Sequence, residues 1–333
     1  MGVQNFIGQL AYVVSPWFLW IMTYEGFFDN QVDGAAGLAI VIAVVAIAFG
    51  ILPAILLRER LKEVAGAEKE VAAAGAAHGL VGNIVSFFKG FGVTLSSGPF
   101  LKLCVATFLV FNGFILISSF QYYVIIYYVT GGNQNLGAEY AGYAGSVGAV
   151  STFVVIIIVT WLGTRIGKRR AFFVSTAVSM VGYALKWPCY NPDIPILVVL
   201  PAPLLAFGLG GLFTLMPSMV ADVVDVDELK THERREGMFG SIFWWVVKLG
   251  MSAALAGGGF LLEATGFDVA LEGNQSPQTI FFMRLCDAGI PIIASAIAIW
   301  AVARFPITEA RAHEVRQELE RRRGALGPAP ADT

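Results

Sequence analysis

Eight long apolar runs dominate the chain: residues 6–24, 35–57, 103–129, 140–162, 171–185, 196–224, 238–262 and 288–303. A bilayer core about 30 Å thick takes about 20 residues of helix, so each run meets or approaches the length of a spanning segment. Backbone N–H and C=O groups in lipid must find partners within the protein, which leaves helices and closed barrels. Barrel strands alternate apolar and polar residues over about ten positions, a pattern these runs lack. The sequence therefore reads as an all-α polytopic membrane protein with eight transmembrane helices. Composition agrees, with 56% of the 333 residues apolar and 14% charged, against about 25% charged in soluble chains.

The same numbers remove several classes of function. A net charge of −2, from 22 basic and 24 acidic residues, offers no electrostatic footprint for nucleic acid. Cys104, Cys189 and Cys286 share no metal or redox spacing, and His78, His232 and His313 all fall outside the apolar runs. The chain carries no Walker motif, no Ser/His/Asp set and no zinc spacing, so it reads as neither an enzyme nor an ATP-driven pump. No metal or resident cofactor is expected. Residues 1–24 lack a basic segment ahead of the apolar stretch, which reads as a membrane helix rather than a signal peptide.

Orientation follows from Lys and Arg. With both termini cytoplasmic, 19 of the 22 basic residues fall in inner segments, as the positive-inside rule asks. Lys186 and Arg284 fall in outer loops, and Lys248 lies within a span. The expected location is the cell (inner or plasma) membrane. Residues 1–57 carry two spans, 58–99 form a long cytoplasmic loop, 100–305 carry six spans, and 306–333 form a cytoplasmic tail. In the loop, residues 84–91 read either as a short amphipathic segment on the membrane face or as a flexible linker. Glycine at 208, 210, 211 and 257–259 points to close helix packing rather than to a phosphate-binding loop.

Lys248 is the most informative residue. It lies near the centre of the seventh span, where a lone ammonium costs at least about 2.5–3.5 kcal/mol. At helical spacing it shares a stripe with Ser241, Trp244, Trp245 and Ser252. Either it serves a solute or coupling site, or it pairs with a carboxylate to hold the bundle. Snorkelling would have to climb about twelve residues of helix. In the third span Asn112, Ser119 and Tyr123 recur at i, i+7 and i+11, as either a wet cavity wall or interhelical hydrogen bonds would require. The polar string 221–237 begins before its apolar run has ended. Asp222 and Asp225 then call for partners, with Arg234 and Arg235 the nearest candidates for a charge lock at the cytoplasmic mouth; a solvated loop is the alternative.

The stretch 219–250, with Ala221-Asp222, Asp225, Asp227-Glu228, Arg234-Arg235-Glu236-Gly237 and Val246-Val247-Lys248, resembles the glycoside-pentoside-hexuronide:cation symporters of the major facilitator superfamily. The basic run 163–170 and the segment 305–309 leading into a charged helix resemble the same family. The resemblance implies a twelve-helix fold in two halves, in which the eight spans correspond to helices five to twelve. It implies too that the site for a coupling sodium ion or proton lies on helices one to four, which these 333 residues do not supply, so that the chain reads as N-terminally truncated. Lys248 falls on the family's functionally important lysine of helix eleven, and Phe213 on the aromatic of helix ten expected at the cavity. Phe243 and Trp244 depart from the small polar groups that precede that lysine in sugar permeases, and favour either stacking on a sugar ring or a more apolar solute.

Two functions are carried forward. One is cation:sugar or glycoside symport by alternating access, with a small glycoside or uronide as solute, the bilayer as the other partner, and a monomer. The other is a non-transporting remnant, or a relative that carries amphipaths such as lysophospholipids.

Overall fold

The computed structural model describes residues 15–23, 31–56, 90–271, 273–322 and 324. The described residues are helical, with no strand among them. A 3-10 turn at Ser15–Trp17 leads into α1 (Phe18–Thr23), followed by α2 (Gln31–Leu56), α3 (Gly98–Val124, continued by a π turn at Ile125–Val129), α4 (Gln134–Ile166), α5 (Lys168–Cys189), α6 (Ala202–Thr231), α7 (Glu236–Ala264), α8 (Pro277–Ala303) and α9 (Glu309–Arg322).

Local chemistry sets the ends. Asn133 caps α4 by accepting the Leu136 N–H at 3.0 Å, and Ser276 caps α8 by accepting the Thr279 N–H at 3.1 Å, with Pro277 in the first turn. Gly167 takes φ +84° at the corner between α4 and α5, a conformation that an L side chain would strain. His232 closes α6 in the left-handed region at φ 60°.

Six described stretches are long and apolar enough to cross a membrane: Val32–Ile51, Gly98–Val129, Gln134–Ile166, Pro195–Thr231, Glu236–Ala264 and Pro277–Ala303. The expected count of eight is thus met only in part. The first expected span lies mostly outside the described residues. The fifth folds as the 22-residue α5, about 33 Å long at 1.5 Å per residue, but Lys168, Arg169, Arg170 and Lys186 make it more polar than its neighbours. Residues 57–89, with most of the expected amphipathic segment, lie outside the described residues.

The described residues fall into two compact units, one drawn from Met1–Trp20 and Ser97–Thr333, the other from Ile21–Ser96. In the second, α2 is apolar after Gln31 and Asp33 in its first turn and exposed along nearly all of Val32–Ile51. The first is a six-helix bundle, α3 to α8, with α9 laid against α6. Its pairing is reciprocal. In the first triplet α3 leads, and it packs on α7 and α8; in the second triplet α6 leads, and it packs on α4 and α5. Two interlocked three-helix repeats give this pattern, as in transporter halves built from internal repeats.

Glycine makes the α6 contacts close. A Cβ on Gly210 would lie 2.8 Å from Val155 Cγ1 of α4, and one on Gly182 of α5 would lie 3.0 Å from the Leu205 nitrogen of α6. Gly211 faces Ser175 of α5 more tightly still. The packing expected of the glycines at 208–211 is therefore present. Glycines 257–259 differ: nothing nearer than Leu116 Cδ1, at 3.7 Å, approaches the Cβ position of any of them. Instead of drawing helices together they leave a groove.

Candidate functional site

The stripe expected on α7 exists and faces outward. Phe239, Ile242, Phe243, Val247, Gly250 and Ala254 are buried, while Ser241, Trp244, Trp245, Lys248 and Ser252 are exposed. The two hydroxyls bond backward along their own helix, Ser241 to the Gly237 carbonyl at 2.7 Å and Ser252 to the Lys248 carbonyl at 3.2 Å. Neither is spent on the ammonium. Among the described residues no carboxylate forms an ion pair with Lys248.

Beside it stands an aromatic wall. Trp244, half exposed, stacks on Phe213 of α6 with centroids 6.2 Å apart and planes 11° from parallel. Phe213 in turn meets Phe111 of α3 edge-on at 5.5 Å, an offset-and-edge arrangement that aromatic quadrupoles favour. Three helices thus contribute to one surface. Phe213 and Trp244, singled out on different grounds, come together, while Trp245 points out on the same exposed face of α7.

The polar stripe of α3 divides. The Asn112 amide donates to the Phe108 carbonyl at 2.6 Å and presses on Gly250 of α7, where only a glycine leaves room. Its Oδ1 is buried and has no partner among the described residues. Tyr123, eleven residues or about 16 Å further along the helix, stacks with Tyr127 at 6.2 Å and meets Phe267 edge-on at 5.4 Å. The side chain of Ser119 lies outside the described residues. One end of the stripe therefore serves α3–α7 packing, and the other joins an aromatic cluster.

A groove of about 580 Å³ runs between α3, α7 and α8, floored by Gly113, Leu116, Ala253, Gly257 and Ala294. Among the described residues Asn112 is the one polar side chain in its lining. The groove is where the 257–259 glycines fail to close the bundle.

At the α9 end the charges pair differently from the sequence expectation. Asp222 is buried and accepts from Lys168 Nζ at 2.7 Å on both oxygens, with Arg316 of α9 at 3.8 Å. Arg235 binds Asp227 at 2.6 Å, and Arg234 reaches Glu236 at 2.9 Å and Glu228 at 3.2 Å. The hydrogen bond to Glu236 pushes the Arg234 guanidinium, already a strong base, further up. Asp225 forms no ion pair among the described residues. The reason for the different partner is axial distance. Asp222 lies nine residues before the last of α6, so Arg234 and Arg235 begin about 14 Å further along. The basic start of α5 lies level with it instead.

Sequence reasoning missed a second charged pair. Lys186 Nζ lies 2.8 Å from Asp287 Oδ1, and each side chain is 2% exposed. Lys186 and Arg284, expected in outer loops, sit inside helices with Asp287, because α5 continues to Cys189 and α8 starts at Pro277. The rings of Tyr183 and Tyr190 flank the ammonium at 5.6 Å each. One turn from Asp287, the Arg284 guanidinium lies between Tyr128 at 4.3 Å and Trp187 at 4.5 Å and donates to the Tyr128 hydroxyl at 3.0 Å. The usable signal was the Ser276-Pro277 helix start, which places Asp287 three turns inside α8.

Among the described residues no group of three His, Cys, Asp or Glu side chains is placed to hold a metal. On this face of α7 Lys248, without an ion pair among the described residues, stands beside stacked aromatics, an arrangement suited to binding and orienting a solute.

Residues 1–309 match the MFS/sugar transport protein family. The chain is 28% identical over 180 residues to an uncharacterized symporter of Synechocystis sp., covering 52% of this chain and 33% of the relative. It is 26% identical over 174 residues to a glucuronide carrier protein homolog of Escherichia coli, covering 52% and 37%, and 24% identical over 238 residues to the sodium-dependent lysophosphatidylcholine symporter 1-A of Danio rerio, covering 71% and 43%. The chain thus spans less than half the length of these relatives. The family and its members are transporters, not enzymes. By its helices, its reciprocal bundle and this match, the chain belongs to the MFS/sugar transport protein family of the major facilitator superfamily, in line with its resemblance to the glycoside-pentoside-hexuronide:cation symporters.

Proposed function

We propose that this chain supplies the six-helix, solute-facing half of a secondary active transporter that couples a cation, sodium or proton, to movement of a glycoside or uronide by alternating access. The observation that carries the proposal is Lys248, an ammonium within a spanning helix, exposed and without a carboxylate among the described residues, next to the Phe213–Trp244 stack. A charge at that depth is tolerated where it meets water, a solute or a partner. A uronide carboxylate would pair with the ammonium while its ring face lies on an aromatic, and the glucuronide carrier homolog among the relatives supports that class. In this reading Lys248, Trp244, Trp245 and Phe213 contact solute, with Asn112, Ser119 and Tyr123 along the adjoining α3 wall. Asp222, Asp225, Arg234 and Arg235 belong to the cytoplasmic gate, with Lys168 as the direct partner of Asp222.

The basic bias supports a cytoplasmic α9 end, in a reading that places the protein in the plasma membrane. The half works as a rigid body rocking about a midplane site. The test is solute-dependent quenching of Trp244 and Trp245 fluorescence in the purified chain. A glucuronide should quench saturably and lose that effect in Lys248→Gln, while a neutral pentoside binds more weakly.

A second reading rests on the apolar groove between α3, α7 and α8 and on the lysophosphatidylcholine symporter among the relatives. A single-chain lipid would place its tail there. Saturable quenching by lysophosphatidylcholine but not by the glucuronide would select it.

A further inference from the structure

Most arginines at the α9 end are spent on carboxylates: Arg234, Arg235, Arg311, Arg316, Arg321 and Arg322 all form ion pairs. Three neighbouring cations behave otherwise. Lys102, at the start of α3, donates to the Arg304 carbonyl at 2.7 Å. Arg169, in the first turn of α5, donates to the Phe305 carbonyl at 3.2 Å. Arg304 itself, just past the end of α8, lays its guanidinium over Trp300 at 3.7 Å. Among the described residues none of the three forms an ion pair with a carboxylate.

Binding the two carbonyls just past the end of α8 accounts for one donor of Lys102 and one of Arg169. It leaves the other ammonium hydrogens, the rest of the Arg169 fork and the Arg304 guanidinium without a carboxylate among the described residues. Uncompensated positive charge gathered there attracts an anion, and Arg presents its donors in the fork that matches phosphate oxygens. Directly along α8 from Arg304, at four, seven and eight residues back, Trp300, Ile297 and Ala296 line a shallow apolar depression of about 420 Å³. These positions recur on one helix face, and all three residues are exposed. The site therefore has two parts in line, a cationic head at the interface and an apolar trough running into the hydrocarbon.

We propose that Lys102, Arg169 and Arg304, with Trp300 beneath them, bind an anionic glycerophospholipid of the leaflet at the α9 end, its phosphate held by the three cations and one acyl chain laid in the Ala296–Ile297 trough. Basic pockets between transmembrane helices are suited to such headgroups. A free phosphate would use the head alone and gain nothing from the trough, so the occupant is a lipid. Because the three cations come from α3, α5 and the end of α8, the headgroup ties together helices of both triplets. The site is independent of which solute the protein carries.

The test is native mass spectrometry of the purified 333-residue chain released from detergent with phosphatidylglycerol, phosphatidylcholine or inorganic phosphate added. Retention of phosphatidylglycerol in preference to phosphatidylcholine is expected. Arg304→Gln should weaken it about fivefold, equivalent to about 1 kcal/mol for a cation at a membrane surface, and Lys102→Gln by a similar factor. Arg304→Lys should keep most of the preference, and Arg321→Gln, at a residue exposed in the last turn of α9 and paired with Glu318, should keep all of it. Trp300→Ala should shorten retention of phosphatidylglycerol without creating a preference for phosphatidylcholine. If the Gln variants do not fold, the preference of the unaltered chain and competition by inorganic phosphate still decide. Equal retention of the two lipids would reduce the site to annular contact, and displacement by inorganic phosphate at concentrations equal to the lipid would make it a plain anion site. Either result overturns the proposal.

Discussion

Lys186 and Lys248 are both lysines within long helices of one bundle, and their surroundings are opposite. Lys186 on α5 is 2% exposed, bound to Asp287 of α8 and flanked by two tyrosine rings. Lys248 on α7 is exposed, has no ion pair among the described residues, and stands beside a tryptophan stacked on a phenylalanine. Burying an ion pair gains little net stability, because desolvation offsets the attraction, but removing one partner leaves a bare charge in the core. The first lysine is therefore locked to a fixed arrangement of α5 and α8. The second keeps its charge available. Charge within a membrane span does not by itself mark function; the decisive feature is whether the fold has already neutralised it.

The sharpest way to break this contrast is Asp287→Ala. It strands the Lys186 ammonium and should cost about 3–5 kcal/mol, read as a large fall in the melting temperature of the detergent-solubilised protein. The double variant Lys186→Met with Asp287→Leu replaces the pair by apolar side chains and should melt at or above the parent. An Asp287→Ala protein as stable as the parent would mean that the pair is not the lock described here.

Asp222 tests the middle ground. Its carboxylate is buried, but the Lys168 side chain is 18% exposed, so solvent screens part of the interaction. Asp222→Asn should lower stability by about 1.5 kcal/mol, less than Asp287→Ala in the same melting assay. A larger loss than at Asp287 would reverse the ranking that burial dictates.

Trp244→Ala should have the smallest effect on stability. It removes one stacked pair from an exposed face, about 0.5–1.5 kcal/mol, yet should weaken solute-dependent quenching through Trp245 at least severalfold. Unchanged solute affinity in this variant would detach the aromatic wall from the solute surface.

Much of the architecture is legible in the sequence, and its failures are local. Apolar run length finds the spanning helices because lipid leaves the backbone few choices. The outward stripe through Trp244 and Lys248 follows from helical spacing alone. The Lys186–Asp287 pair escapes because an apolar run is drawn to stop at a charge: residues 171–185 end one position before the lysine, and 288–303 begin one position after the aspartate. A pair that satisfies itself within the fold leaves no trace in a hydropathy pattern. Asp222 is recognisable as needing a partner, but sequence distance favours Arg234 and Arg235, while the helix geometry delivers Lys168 from 54 residues away. Glycine is ambiguous in the same way. The run at 208–211 closes helices together and the run at 257–259 opens a groove, and only the neighbours on α5 and α3 distinguish them.

The central claim is that Lys248 is held in reserve for the solute rather than for the bundle. Lys248→Ala, measured for solute binding and melting temperature on the same preparation, tests it directly. Removing the charge should leave membrane insertion intact or ease it, keep the melting temperature within the scatter of the parent, and abolish saturable glucuronide binding. Lys248→Arg should fail to bind as well, since a planar guanidinium does not reproduce a compact ammonium. Full glucuronide binding by Lys248→Ala, or a fall in melting temperature as large as that of Asp287→Ala, would contradict the account.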